Sequence, residues 1–124
     1  LGHAIEFATI LDGEETLRHG EAVALGMLAI FRISVELGYL DESRITWLKD
    51  ILKKFNLPIT YSASDLNMDK DSLLDVCMTL VLKDKKRNFD GLRLIILTED
   101  RVPTIHETND MGLLRLGFME IICD

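Results

Sequence analysis

Three sets of side chains in this sequence have the types and spacing to do chemistry. His19-Gly20-Glu21 stands directly ahead of the apolar run Ala22 to Phe31. It puts an imidazole, a residue without a side chain and a carboxylate where a helix would turn its free N–H groups and the positive end of its dipole outward. An imidazole there can be a metal ligand, a general base or an exposed residue at a helix entrance, and the spacing leaves all three open. His3 and Glu6 are three apart, hence neighbours on one face if Gly2 to Ala8 is helical. His3 with His19 makes at most two metal ligands, whereas a tetrahedral catalytic zinc takes three from the protein and keeps one position open. The third set is the basic island Lys83-Asp84-Lys85-Lys86-Arg87 in an otherwise acidic chain. Its lysines suit an anion pocket for a phosphate or carboxylate, and equally the negative pole of a helix that ends there.

Composition narrows the function classes. At 124 residues with 48% hydrophobic side chains the chain can close one core, so a single domain is expected. The formal net charge of −7 argues against nucleic acid as a partner, because phosphate-backbone affinity needs a basic face. Cys77 and Cys123 form no C-x-x-C pair and signal neither a zinc knot nor a disulfide framework, which fits a reducing cytoplasm. Cys77 itself falls on an apolar helical stripe and reads as a small core residue. No secretory pattern of basic residues followed by an apolar stretch is present. Leu1 to Glu6 reads like the middle of an element, which suggests a piece of a longer protein.

These residues need elements to position them. His19 to Gly38 is expected to be the central helix: Ala22 to Phe31 is apolar on every side, which implies burial. That run falls well short of the roughly 18 to 20 residues that span a bilayer, so no membrane crossing is expected. Gly38 suits the left-handed residue just past the helix end. Asp41 is expected to cap a second helix with Ile45, Leu48, Leu52 and Phe55 on its inner stripe, stopped by Asn56 and Pro58. Asp69 caps a third with Leu73, Leu74, Cys77, Leu80 and Val81 inward. Leu92 to Thr98 and Val102 to His106 read as a hairpin, with Pro103 marking an edge strand and His106 alternating outward. Asn109 or Asp110 caps a last helix that buries Leu114, Phe118, Ile121 and Ile122. Leu11 to Arg18, with Asp12-Gly13 and the pair Glu14-Glu15, reads as a surface loop. The expected fold class is therefore mostly α, a multihelical array with one short β-hairpin.

Taken together, three stretches resemble the C-terminal domain of the 3-dehydroquinate synthase family. That family carries G-H-T-x-G-H-A-I-E, then H-G-E-A-V-A-x-G-M, then D-K-K followed by a glycine and an apolar strand. Here they stand in the same order as Gly2-His3-Ala4-Ile5-Glu6, as His19-Gly20-Glu21-Ala22-Val23-Ala24-Leu25-Gly26-Met27, and as Asp84-Lys85-Lys86 with Gly91 and Leu92 to Leu97. One departure is a longer stretch between His3 and His19, with Glu14-Glu15 in the extra length; an insertion in a surface loop costs little closure entropy.

The resemblance implies that residues 1–124 are the helical C-terminal part of a longer enzyme whose N-terminal NAD-binding domain is absent. It implies a zinc- and NAD-dependent carbon–oxygen lyase of the shikimate pathway, with zinc replaceable by another divalent metal such as cobalt. The enzyme would convert a seven-carbon phosphorylated sugar acid, 3-deoxy-D-arabino-heptulosonate 7-phosphate, to 3-dehydroquinate with release of phosphate. His19 matches a zinc ligand; the histidine of G-H-T and a glutamate that complete the set lie outside this chain. His3 matches a residue that faces the substrate, and Lys85 and Lys86 both match the lysine at its anionic groups. On this basis the isolated chain is expected to be inactive and to hold neither zinc nor NAD firmly, and the enzyme is expected to be a homo-oligomer. Another sugar-phosphate cyclase of the same fold is the nearest alternative. A non-catalytic helical interaction domain is the other, and it would leave His3 and His19 pointing away from one another.

Overall fold

The computed structural model describes residues 1–11, 13–87, 92–100 and 102–124. Five α-helices are present among them: α1 (Gly2–Ala8), α2 (His19–Glu36), α3 (Ser43–Lys54), α4 (Lys70–Arg87) and α5 (Met111–Ile121). α2 is central and packs against α1, α3, α5 and the strand β4 (Leu92–Leu97). Ala22, Leu25, Leu28, Ala29 and Ile33 of α2 are fully buried. Its apolar surface is nevertheless not covered all round, which corrects the expectation from composition. Val23 and Met27, one turn apart, are each 44% exposed and line an open cleft.

Small residues set how close the helices come. A Cβ built on Gly26 would lie 2.9 Å from both the nitrogen and the Cα of Gly2, so α1 crosses α2 almost backbone to backbone. A Cβ on Gly117 would meet Ile33 Cδ1 at 2.9 Å and the carbonyl oxygen of Ala29 at 3.1 Å. The helix-weakening glycine in α5 is thus the seat for α2.

Helix ends follow local chemistry. At the end of α2, Gly38 takes φ +83°, its N–H donates to the Val35 carbonyl, and that of Tyr39 donates to the Ser34 carbonyl. Asn56, at φ 56°, does the same for α3: its N–H donates to Lys53 and that of Leu57 to Leu52. The carboxylates of Asp69 and Asp110 accept the N–H groups of Ser72 and Gly112, while Asp41, one residue ahead of the N-cap Glu42 of α3, accepts that of Ser43. The hydroxyl and N–H of Ser43, and the N–H and hydroxyl of Ser72, hold the Asp41 and Asp69 carboxyls below the ordinary Asp range.

β4 pairs antiparallel with β5 (Pro103–Thr108), giving the expected hairpin, and Leu94 and Ile96 point into the core. The register sets His106 opposite Leu94, on the same inward face, where it is half-buried and meets the edge of the Tyr39 ring at 6.2 Å. His106 therefore does not face outward; Ile95 and Ile105, a cross-strand pair 68% and 66% exposed, do. Phe55 is also exposed, because α3 ends at Lys54 and Phe55 sits at its C-cap. Of the apolar residues at the start of the chain, Ile5 and Ala8 are buried while Phe7 and Ile10 are exposed.

Two short pairings go beyond the sequence reading. β1 (Ile10–Leu11) pairs antiparallel with β2 (Glu14–Glu15), so the acidic pair sits on a small exposed hairpin rather than an irregular loop. β3 (Tyr61–Ser62), which leads into a 3₁₀ turn at Ala63–Leu66, pairs parallel with β6 (Ile122–Cys123). Ile122 is buried as expected, but in that strand rather than in α5.

Half-buried charge on α2, α3 and α5 is paired. Arg32 Nε on α2 lies 3.2 Å from Glu120 Oε2 on α5, and Lys49 Nζ on α3 lies 2.8 Å from Glu120 Oε1 without hydrogen-bond alignment. Burial pushes the Glu120 carboxyl up, but Lys49 and Arg32 together outweigh it and hold the group below the ordinary Glu range. Cys77 is fully buried, and loss of solvation pushes its thiol up to about 12, in keeping with a core role. Among the described residues no helix is long and apolar enough to cross a membrane.

Candidate functional site

The crossing of α1 over α2 at Gly2 and Gly26 decides what happens one turn away. With the backbones in contact, the outer face of α1 brings His3 and Glu6 over the first turn of α2, where His19 begins the helix. The return from α1 to α2 is pinned. The Thr9 hydroxyl donates to the Ile5 carbonyl at 2.8 Å, Thr16 donates to the Thr9 carbonyl, and Tyr61 OH lies 2.7 Å from Thr16 Oγ1. Since Thr16 has one proton, committed to Thr9, the Tyr61 hydroxyl is the donor to Thr16. At the helix entrance itself the Glu21 carboxylate accepts the Arg18 N–H at 2.9 Å.

The two imidazoles come together: their ring centroids are 6.1 Å apart. Glu6 joins them. Its carboxylate oxygens lie 3.1 and 3.3 Å from His19 Nδ1, and Oε2 stands 3.7 Å from His3 Nδ1. Glu6 is the most shielded of the three, with 17% of its side chain exposed against 79% for His3 and 66% for His19. All three line a cleft of about 510 Å³ floored by Val23, Gly26 and Met27 and walled by Ile95, Ile96 and Pro103 of the hairpin. An apolar basin with a few convergent polar groups at one end is the usual form of a small-molecule site. Imidazoles turned away from one another, as an interaction domain would have them, are not what is found.

The sequence reading singled out His3 and His19 and gave Glu6 no role. Its signal was its place one turn after His3; that it would also face His19 depends on the β1–β2 return, which has no pattern in the sequence. Lys85 and Lys86 fall in the last turn of α4, which packs against α1 and α5, and their side chains lie outside the described residues.

The donor set can be tested against the metal and cofactor that the resemblance implies. His19 spends Nδ1 on a carboxylate and keeps Nε2, the arrangement of a metal-ligating histidine held by an outer carboxylate. Among the described residues no three His, Cys, Asp or Glu side chains are grouped to hold a metal ion, so His19 fits as one member of a set rather than a closed site. No G-x-G-x-x-G dinucleotide fingerprint occurs in the sequence.

Comparison with known proteins gives the chain a family. Residues 1–87, which carry His3, His19, Glu6, the α1–α2 crossing and α4, match the family described as 3-dehydroquinate synthase C-terminal. The 3-dehydroquinate synthase of Thermodesulfovibrio yellowstonii is 35% identical over 96 residues, covering 77% of this chain and 24% of the relative. That of Paenarthrobacter aurescens is 34% identical over 121 residues, 98% of this chain and 30% of the relative. That of Streptococcus pneumoniae is 33% identical over 106 residues, 86% of this chain and 27% of the relative. The chain thus spans 24% to 30% of the length of these relatives. A family match that contains the whole histidine–carboxylate cluster, extended by relatives that align through the hairpin and α5, leaves one assignment: the chain belongs to the 3-dehydroquinate synthase C-terminal family.

Proposed function

We propose that this chain supplies the metal and substrate side of a 3-dehydroquinate synthase, a lyase that releases phosphate from 3-deoxy-D-arabino-heptulosonate 7-phosphate to form 3-dehydroquinate in the shikimate pathway. The observation that carries the reading is the meeting of His3, Glu6 and His19 at the polar end of one apolar-floored cleft. In it, His19 Nε2 is a ligand to zinc or cobalt, with the remaining ligands supplied from outside the chain. The metal, when bound, contributes Lewis-acid polarisation of a substrate hydroxyl. His3, the more exposed imidazole, orients a substrate hydroxyl or phosphate oxygen and exchanges a proton with it. Lys85 or Lys86 neutralises an anionic group of the substrate. Val23, Met27 and the hairpin wall give the substrate an apolar surface to pack against. The partner is an N-terminal NAD-binding domain, which carries the hydride transfer. The complete enzyme is a cytoplasmic homo-oligomer in this reading.

The test is complementation. Mixing the chain with a separately produced, folded N-terminal NAD-binding domain of a 3-dehydroquinate synthase, with zinc and NAD, is expected to restore phosphate release. His19→Ala is expected to abolish it and His3→Ala to reduce it severely. A folded partner that restores no activity, or release that is unchanged in His19→Ala, would sink the proposal.

A further inference from the structure

We infer that Glu6 is a positioning residue: it fixes the tautomer and the rotation of the His19 ring, so that Nδ1–H is tied to Glu6 and Nε2 is left bare on the cleft side. The inference rests on the reading of His19 as a metal ligand and names the group that prepares it. Both carboxylate oxygens are within 3.3 Å of His19 Nδ1, and the ion-pair distance to His3, at 3.7 Å, exceeds hydrogen-bond length. An ionised carboxylate can only accept, so a proton on His19 must sit on Nδ1, and the lone pair of the neutral ring is then on Nε2. A histidine without such a partner favours the opposite tautomer, in which Nε2 carries the proton and the lone pair lies on Nδ1.

The surroundings suit a fixed carboxylate rather than a chance contact. The ion-pair partners recorded for Glu6 are the two histidines, so no lysine or arginine competes for its oxygens among the described residues. Glu6 stands beside the first residue of α2, where the helix dipole favours negative charge. The backbone beneath it is held by the Thr9 hydroxyl, which contacts the carbonyls of Ile5 at 2.8 Å and Glu6 at 3.1 Å. A carboxylate on a braced helix, shielded and aimed at one nitrogen of a far more exposed imidazole, sets the ring rather than being set by it.

Long-range ¹H–¹⁵N correlation on the ¹⁵N-labelled chain at neutral to mildly alkaline pH reads the tautomer of His19 directly. The unsubstituted chain is expected to show Nδ1–H at His19, and Glu6→Ala to show Nε2–H. An Nε2–H ring in the unsubstituted chain, or an unchanged tautomer in Glu6→Ala, overturns the inference; the first of these decides even where the variant does not fold. Cobalt(II) titrated alone and followed by broadening of the His19 ring protons gives a second readout, which detects weak binding. The half-broadening concentration is expected to rise about 10- to 100-fold in Glu6→Ala, the range for losing the outer partner of a metal-bound histidine. An unchanged midpoint overturns the inference. If cobalt leaves His19 untouched while the tautomer still follows Glu6, the positioning by Glu6 is upheld, and phosphate release by His19→Ala in the complemented enzyme decides the metal-ligand reading.

Discussion

Gly26 and Gly2 approach so closely that a single methyl group on Gly26 would fall 2.9 Å from two backbone atoms of Gly2. This contact lets α1 lie on α2 and thereby brings the two histidines within one cleft. Gly26→Ala must push the helices apart, since backbone cannot swing away as a side chain can. We expect a loss of about 1–3 kcal/mol, the usual cost of overpacking, with weakened contact between the His3 and His19 rings in nuclear Overhauser spectra. Gly20, on the same helix, has open space where its Cβ would be. Gly20→Ala should therefore be neutral or stabilise by up to about 1 kcal/mol through helix propensity. Thermal melts of the two variants check the pair; equal effects would mean the crossing is looser than described.

The helix ends were legible in the sequence because capping is local: Gly38, Asp41, Asn56 and Asp69 act within a few residues of themselves. The cleft was less legible because it depends on what meets across long separations. Ala22 to Phe31 gave no sign that Val23 and Met27 would stay uncovered, since an apolar stripe lining a cleft and one lining a core are spelled alike. The facing of His106 turned on hairpin register, where a shift of one residue exchanges the two faces. Tyr61–Ser62 and Ile122–Cys123 are too short to show a period, so their pairing had no trace in the sequence. The histidines could be picked out by residue type and family pattern, whereas the Glu6–His19 contact appears only once the chain has returned through β1 and β2.

Cys77 and Cys123 should differ in reactivity. The Cys77 thiol is fully buried and held up to about 12, so it presents almost no thiolate at neutral pH. In the native chain a thiol reagent such as 5,5′-dithiobis(2-nitrobenzoate) is expected to react with the half-buried Cys123 alone, and with both cysteines after denaturation. Rapid native labelling of Cys77, mapped by mass spectrometry, would contradict its place in the core.

The Arg32–Glu120–Lys49 contact ties α2, α3 and α5 together, and its contribution has a defined sign with pH. The carboxyl is held below its unfolded value of 4.5, so its stabilising effect is complete above that value and is lost as pH falls through the lower folded value. Glu120→Gln is expected to lower stability at neutral pH by about 1 kcal/mol or somewhat more, the partial exposure of the cations keeping the effect modest. The difference between variant and parent should shrink as pH falls below 4.5. A constant difference from pH 7 to pH 3, measured by urea unfolding, would show that the ion pairs are not its source.

Glu99 ties the tip of the β4–β5 hairpin to the start of α3, and through it holds the wall of the cleft. Its Oε1 accepts the Asp41 N–H at 2.9 Å, and Oε2 faces Arg44 Nη2 at 3.1 Å and Nε at 3.3 Å. The Asp41 N–H first, and the Arg44 guanidinium second, hold the Glu99 carboxyl below the ordinary Glu range. The tether is therefore made above that range and released as pH falls through the lowered value. Glu99→Ala should leave the buried helices unchanged but speed amide exchange across β4 and β5, because a two-stranded hairpin is marginal without support. High salt should weaken only the Arg44 half of the tether, since an exposed ion pair is screened while the bond to the Asp41 N–H is far less so. In an enzyme reconstituted with its partner domain, the same variant should raise KM more than it lowers kcat, as Ile95, Ile96 and Pro103 shape the cleft without touching the proton carriers. Unaltered hairpin exchange in Glu99→Ala would show that the wall stands without this tether.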